Sequence, residues 1–343
     1  MMKLKRIIEG IKVISESLDR EIRIMEVCGT HTVNIFRFGI KTLLPENIKI
    51  ISGPGCPVCV TPDFYIENAV NLAKSGIRIL TFGDMVRVPG ISSSLEEVGN
   101  YEVVYSPFDI FGKIKNSKEY VFLGVGFETT TPLVAWLIEE LKRRRIKNVS
   151  VYSAHKLIPP PLEILDKESR IDGFILPGHV STIIGRKAYL FLNKPSVISG
   201  FEAEDILQSI FMLIYLIKNK KKGVLNQYKR SVRENGNLEA KKIIYDVFES
   251  VDSVWRGLGM IKKSGLEIKK EYKDFDAEKR YGLKEIEERK ETGCRCGEVI
   301  KGEIEPVDCP LFAKKCTPER PLGPCMVSSE GTCSAYYKYG ISN

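Results

Sequence analysis

The sequence predicts an α/β protein: two Rossmann-like α/β lobes with parallel sheets facing a cleft, followed by a C-terminal helical and cysteine-rich domain. Three observations lead there. Between residues 22 and 215, short and nearly all-apolar runs alternate with amphipathic stretches, the pattern of parallel strands covered by helices on both faces. The chain has 343 residues, 43% of them hydrophobic, enough for two or three cores. From residue 292 the composition turns to glycine, proline and cysteine, and six of the nine cysteines fall there.

Taken in order, residues 1–22 interleave charges with apolar residues at helical spacing and lack the uninterrupted apolar core of a signal peptide. Strands are expected at 22–27, 48–52, 77–82, 102–106, 120–125, 149–154, 172–177 and 196–200, with helices at 62–75, 132–145 and 203–218. A break near 112-GKIKNSKE-119 divides the region into lobes at 1–116 and 117–215, leaving 216–343 as charged helical sequence and the cysteine-rich tail.

The net charge of +8 comes from 52 basic and 44 acidic residues, a mixed surface. The clusters 142-KRRRIK-147 and 218-KNKKK-222 each follow an apolar helical pattern. Cations there favour a helix C-terminus, and no aromatic platform accompanies them, so nucleic-acid binding is not expected. The longest apolar run, 210-IFMLIYLI-217, is too short to span a bilayer. The expected location is the cytoplasm, where structural disulfides are uncommon.

Ligands of open α/β sheets gather at the carboxyl ends of the strands, and the chemically unusual residues follow predicted strands: Cys28, the Cys56/Cys59 pair, Asp84, Glu128, His155 and His179. In 56-CPVC-59, Thr61-Pro62-Asp63 reads as N-cap, N1 proline and first-turn acid, so a helix is expected just after Cys59, favouring its thiolate. Cys28 and His31 of 28-CGTH-31 form either a nucleophile and base or two metal ligands. The chain has only three histidines, all at strand ends, so at least one is expected in the site. In 124-GVGFETTTP-132, Thr129 stands where a dinucleotide fingerprint needs its third glycine, and Glu128 is expected to be an exposed carboxylate for proton transfer. In the tail, Cys309, Cys316, Cys325 and Cys333 are separated by six, eight and seven residues. Four such thiolates suit an iron–sulfur cluster or zinc, with Cys294 and Cys296 as substitutes or a redox pair.

The motifs 28-CGTH-31, 53-GPGCPVC-59, 126-GFETTTP-132, 177-PGHVSTI-183 and 308-DCPLFAKKCTPERPLGPCMVSSEGTC-333 together resemble the HypD family of NiFe-hydrogenase maturation factors. The resemblance implies a scaffold that assembles the Fe(CN)2CO unit with a HypC-type chaperone. HypE, supplied by HypF, donates cyanide, and the hydrogenase large subunit is reached through HypC. It implies iron ligation by Cys28, essential thiols at Cys56 and Cys59 that supply a ligand, electrons or both, and a 4Fe-4S cluster on Cys309, Cys316, Cys325 and Cys333. Of the pair, Cys59, nearer the expected helix start, is the favoured ligand, and His31, Glu128 and His179 are the candidate catalytic side chains for protons. Some members carry a second histidine where Val33 stands here, so no mechanism can require one. The competing readings are a thiol–disulfide oxidoreductase whose cleft binds no iron and a zinc-stabilised interaction module.

Overall fold

The computed structural model describes residues 2–168, 170–286 and 293–340. All eight expected strands form: β1 (Ile22–Glu26), β2 (Ile48–Ser52), β3 (Arg78–Thr81), β4 (Tyr101–Val103), β5 (Tyr120–Gly126), β6 (Val149–His155), β7 (Gly173–Pro177) and β8 (Ser196–Ser199). A short β9 (Val224–Asn226) and a hairpin of β10 (Phe248–Trp255) and β11 (Gly259–Ile268) follow them. One sheet has the order β2-β1-β7-β8-β9, the other β4-β3-β5-β6. Every pair in both is parallel. Both faces are covered, which is why β5 and β7 are buried along their whole length.

The lobes are not consecutive in the chain. The expected boundary between residues 116 and 117 falls between β4 and β5, both members of the second sheet. The chain lays down β1 and β2, departs to build the whole second sheet, and returns to the first at β7. Apolar periodicity marks strands but carries no information on which strands pair, so the polar stretch at 112–119 was legible only as a loop.

Helices Met2–Glu16 and Ala203–Lys218 pack together on one face of the first sheet, where Ile11, Ile206 and Ile210 meet Ile22, Ile24 and Ile175 in one core. Helix Thr131–Arg143 ends in the first basic cluster, and Ala203–Lys218 leads into the second. Arg143 and Arg144 both pair with Glu140. Among the described residues no helix is long and apolar enough to cross a membrane.

The hairpin corrects the expectation of a helical segment after residue 216. Residues 203–218 and 238–247 are helical, but 248–268 are not. The lysines and glutamates of this stretch suggest helix, yet Ser250 to Val254 are poor helix formers. Gly257 and Gly259, at φ of 81° and 77°, make the turn. Phe248, Trp255, Ile261, Leu266 and Ile268 are buried, and Gly265 bridges to Lys156 beside β6. The cysteine-rich tail is also less separate than expected. Its cysteines share a continuous core with Cys56, Cys59 and the strands of both sheets.

Candidate functional site

Cys28 ends the extended backbone after β1 and is the N-cap of helix Gly29–Arg37. The glycine-rich loop after β2 runs alongside it: the Gly53 N–H donates to the Glu26 carbonyl at 2.7 Å and the Gly29 N–H to the Gly55 carbonyl at 2.9 Å. Only glycine permits this approach at position 55, because a Cβ there would lie 2.2 Å from the Cys28 nitrogen. Where these loops meet the ends of β5 and β7 lies a cavity of about 230 Å3, lined by Cys28, Thr30, Gly55, Pro57, Phe127, Thr129, Thr130, His179 and Glu330 among others. Residues from both sheets and from the tail thus converge on one thiol.

Cys56 and Cys59 lie just behind this lining, buried and joined as a disulfide. The helix expected after Cys59 forms as Asp63–Lys74, and an unexpected short segment precedes it. Pro57–Val60 starts directly after Cys56, whose sulfur accepts the Cys59 N–H at 3.2 Å. Asp63–Lys74 then starts after Pro62. The N-cap position falls on Pro62, one residue later than expected, so Thr61 stands outside the helix and its hydroxyl donates to the Pro57 carbonyl at 2.8 Å. Cys56, not Cys59, is the cysteine at a helical start.

The three histidines separate. His179 lines the cavity, stacked on Phe201 with ring centres 3.8 Å apart, and burial holds it below the ordinary imidazole range. His31 stacks on the same phenylalanine with ring centres 4.8 Å apart. Its Nε2 donates to the Gly200 carbonyl at 2.8 Å, so Nδ1 is bare and unpartnered. Burial pushes His31 down to about 4. His155 is elsewhere, edge-on to Phe248 and away from Cys28. The Ser153 hydroxyl donates to the Leu266 carbonyl at 2.8 Å, so it accepts the Nδ1–H of His155 and leaves Nε2 bare.

Glu128 also departs from expectation. It is 2% exposed, not solvated, and does not line the Cys28 cavity although Phe127, Thr129 and Thr130 do. Its Oε1 accepts the Ile158 N–H at 3.0 Å, and burial raises it to about 7. Two carboxylates at the site were not singled out from sequence. Glu26, fully buried, accepts the Cys28 N–H at 3.0 Å and the Thr32 hydroxyl, and burial raises it to about 7. Glu330 comes from the tail, accepts the Thr30 hydroxyl at 2.7 Å, and is raised by burial and by Asp84. Glu330 stands between Cys325 and Cys333, and only its position between two candidate ligands hinted at it. Asp84 anchors that loop, accepting the Ser328 hydroxyl at 3.0 Å and the Ser329 N–H at 3.2 Å. Burial and the charge of Glu330 push the Cys28 thiol up to about 12, so a thiolate there needs a cation to replace its proton.

In the tail Cys296 is hydrogen-bonded to Cys294 and Cys325, and Cys325 to Cys333. The contacts with Cys294 and Cys325, aided by Arg256, pull the Cys296 thiol down. The Cys316 sulfur accepts the Leu322 N–H at 3.3 Å. Among the described residues no three side chains stand in a preformed metal-ligand arrangement. The donor chemistry nevertheless fits a thiolate-held cluster: Cys296, Cys309, Cys316, Cys325 and Cys333 are buried soft donors, and an N–H···S bond is already made. The contacts draw in Cys294 and Cys296, which spacing alone left as substitutes.

These features define a two-sheet α/β protein organised around thiols, with a cysteine, a histidine and a carboxylate facing one cavity and a thiol-rich tail behind it. The chain matches the model of HypD, described as the hydrogenase formation hypA family, over residues 2–340. It is 42% identical over 345 residues to the hydrogenase maturation factor HypD of Rhodobacter capsulatus, covering 95% of this chain and 92% of that one. It is 41% identical over 353 residues to HypD of Escherichia coli K12, covering 99% and 95%, and 41% identical over 341 residues to HypD of Azotobacter vinelandii, covering 94% and 90%. The chain belongs to the HypD family of hydrogenase maturation factors.

Proposed function

We propose that this maturation factor is the platform on which the Fe(CN)2CO unit of a NiFe hydrogenase is put together. Cys28 and a thiolate from a HypC-type chaperone at the cavity mouth hold the iron cargo. HypE, supplied by HypF, brings cyanide, and the large subunit receives the product through HypC. The observation that carries this reading is the cavity in which Cys28 faces His179 and Glu330, built from five separate stretches of chain. Low-spin ferrous iron favours soft thiolate anchors that leave positions open for diatomic ligands.

Each residue has a part. His179, kept neutral at pH 7 by burial, accepts and returns protons at its free ring nitrogen. Glu330 balances the cation that displaces the Cys28 proton. Thr30 orients Glu330, and Glu26 fixes the Cys28 backbone. Opening the Cys56–Cys59 disulfide takes up two electrons and two protons, and closing it returns them. In the reduced state Cys56 or Cys59 supplies the second iron ligand, and Cys56, at the helical start, has the backbone N–H of Cys59 to steady its thiolate. Cys309, Cys316, Cys325 and Cys333 would hold the 4Fe-4S cluster, with Cys294 and Cys296 within the same thiol network. A cluster bound there supplies single-electron chemistry.

A second reading, a thiol–disulfide oxidoreductase without cleft iron, draws support from the packing of Pro57–Val60 against the tail segments Cys296–Ile300 and Pro324–Val327. Cys28→Ser separates the two. On the platform reading it abolishes hydrogenase maturation in a complemented deletion strain while melting stays within a few degrees of the parent. Normal maturation with that variant would exclude the platform and leave the oxidoreductase.

A further inference from the structure

Directly behind the Cys28 cavity, on the other side of the same loop, lies a second cavity of about 450 Å3. Its lining includes Glu128, Pro159, Ile184, Lys187, Lys241 and Tyr245. The second sheet contributes the Glu128 loop and the Leu157–Pro160 segment. The first contributes residues 184–188 after the PGHVSTI motif, and helix Leu238–Val247 closes the side.

Three observations mark it as built for a ligand. Glu128 is 2% exposed and its Oε2 has no partner, although burying a carboxyl oxygen unpaired is costly. Among the described residues Lys187 and Lys241 form no salt bridge; Glu234, which also feels the charge of Lys187, is bonded to Arg186 at 2.7 Å. Leu157, Pro159, Pro160, Ile184 and Ala188 add apolar surface to the same lining, the usual makeup of a small-molecule pocket.

We propose that this cavity binds a small organic oxyanion, a carboxylate or a phosphate monoester, whose charge meets Lys187 and Lys241 and whose acceptor oxygen bonds the Glu128 carboxyl group. The raised position of Glu128, about 7, leaves it protonated in a useful fraction near neutrality. The apolar surface takes the rest of the molecule. Because Phe127 and Thr129 on either side of Glu128 line the Cys28 cavity, an occupant would fix the loop that shapes the maturation site. This site stands independently of what Cys28 holds.

The test is calorimetric titration of the full chain with phenyl phosphate and, separately, benzoate. At least one should bind saturably at one site per chain, and Lys187→Gln and Lys241→Gln should each weaken it about tenfold, the loss of one charge-assisted contact. Protection of Lys241 from acetylation by the bound probe, read by mass spectrometry, should follow the same affinity. Binding of phenyl phosphate alone would assign a phosphate ester and of benzoate alone a carboxylate, each upholding the site. Absence of saturable binding by both probes, or binding that both lysine variants leave unchanged, would overturn it.

Discussion

Replacing Gly55 with alanine is expected to destroy hydrogenase maturation as completely as removing Cys28, without touching a reactive group. The new Cβ would lie 2.2 Å from the Cys28 nitrogen, 2.5 Å from its Cα and 2.7 Å from the Val27 carbonyl carbon. These are backbone atoms, so no side-chain rotation relieves the clash. The loop must move away, breaking the Gly29 N–H bond to the Gly55 carbonyl and widening the cavity at the thiol. Overpacking of this kind costs about 3 kcal/mol, so the melting temperature should fall by several degrees. Gly112→Ala is the control, since nothing lies within 4 Å of its added Cβ. Full maturation and parental melting by Gly55→Ala would show that the two loops are not held as described.

The second large effect is on stability against pH. His155 is pushed down to about 3 from an ordinary 6.5 by burial. The unfolded chain therefore takes up this proton more readily than the folded one. Its contribution is fully present above pH 6.5 and is lost as pH falls toward 3, about 5 kcal/mol over the whole window and about 2 kcal/mol between pH 7.5 and 5. Glu128 behaves oppositely. Raised by burial from 4.5 to about 7, it contributes most below pH 4.5 and loses about 3 kcal/mol as pH rises through 7. Urea denaturation should thus show His155→Gln gaining about 2 kcal/mol on the parent when pH is lowered from 7.5 to 5. Glu128→Gln should gain a similar amount when pH is raised over the same interval. Differences that do not change with pH would mean that neither group is buried as the structure has it.

How much of this was readable beforehand depended on whether a feature is local. The eight strands of the two sheets follow from alternation of apolar runs and helices, and the long helix Ala203–Lys218 follows from its 3.6-residue period. The pairing of β1 with β7, whose partners Ile24 and Gly173 are 149 residues apart, leaves no local trace, so the expected lobe boundary does not match the sheets. Placement of residues at strand ends was legible for Cys28 and His179. The direction of a side chain was not: in Phe127-Glu128-Thr129 the outer two face the thiol cavity and the middle one faces away. Nothing local marks Glu330, because its role depends on the tail folding back onto Thr30, a contact across 300 residues. The hairpin is masked in the sequence because its charged residues, Glu249, Asp252, Arg256, Lys262, Lys263 and Glu267, interrupt any regular apolar alternation.

Cys28 is proposed to anchor iron carrying diatomic ligands in the cavity shared by the two sheets. The most direct measurement is infrared spectroscopy of the anaerobically co-purified complex of this chain with its HypC-type chaperone, made with HypE and HypF present. Cyanide and carbonyl stretching bands are expected in the parent complex and should be absent when it carries Cys28→Ser. A complex with full iron loading that lacks these bands, or a Cys28→Ser complex that retains them, would contradict it.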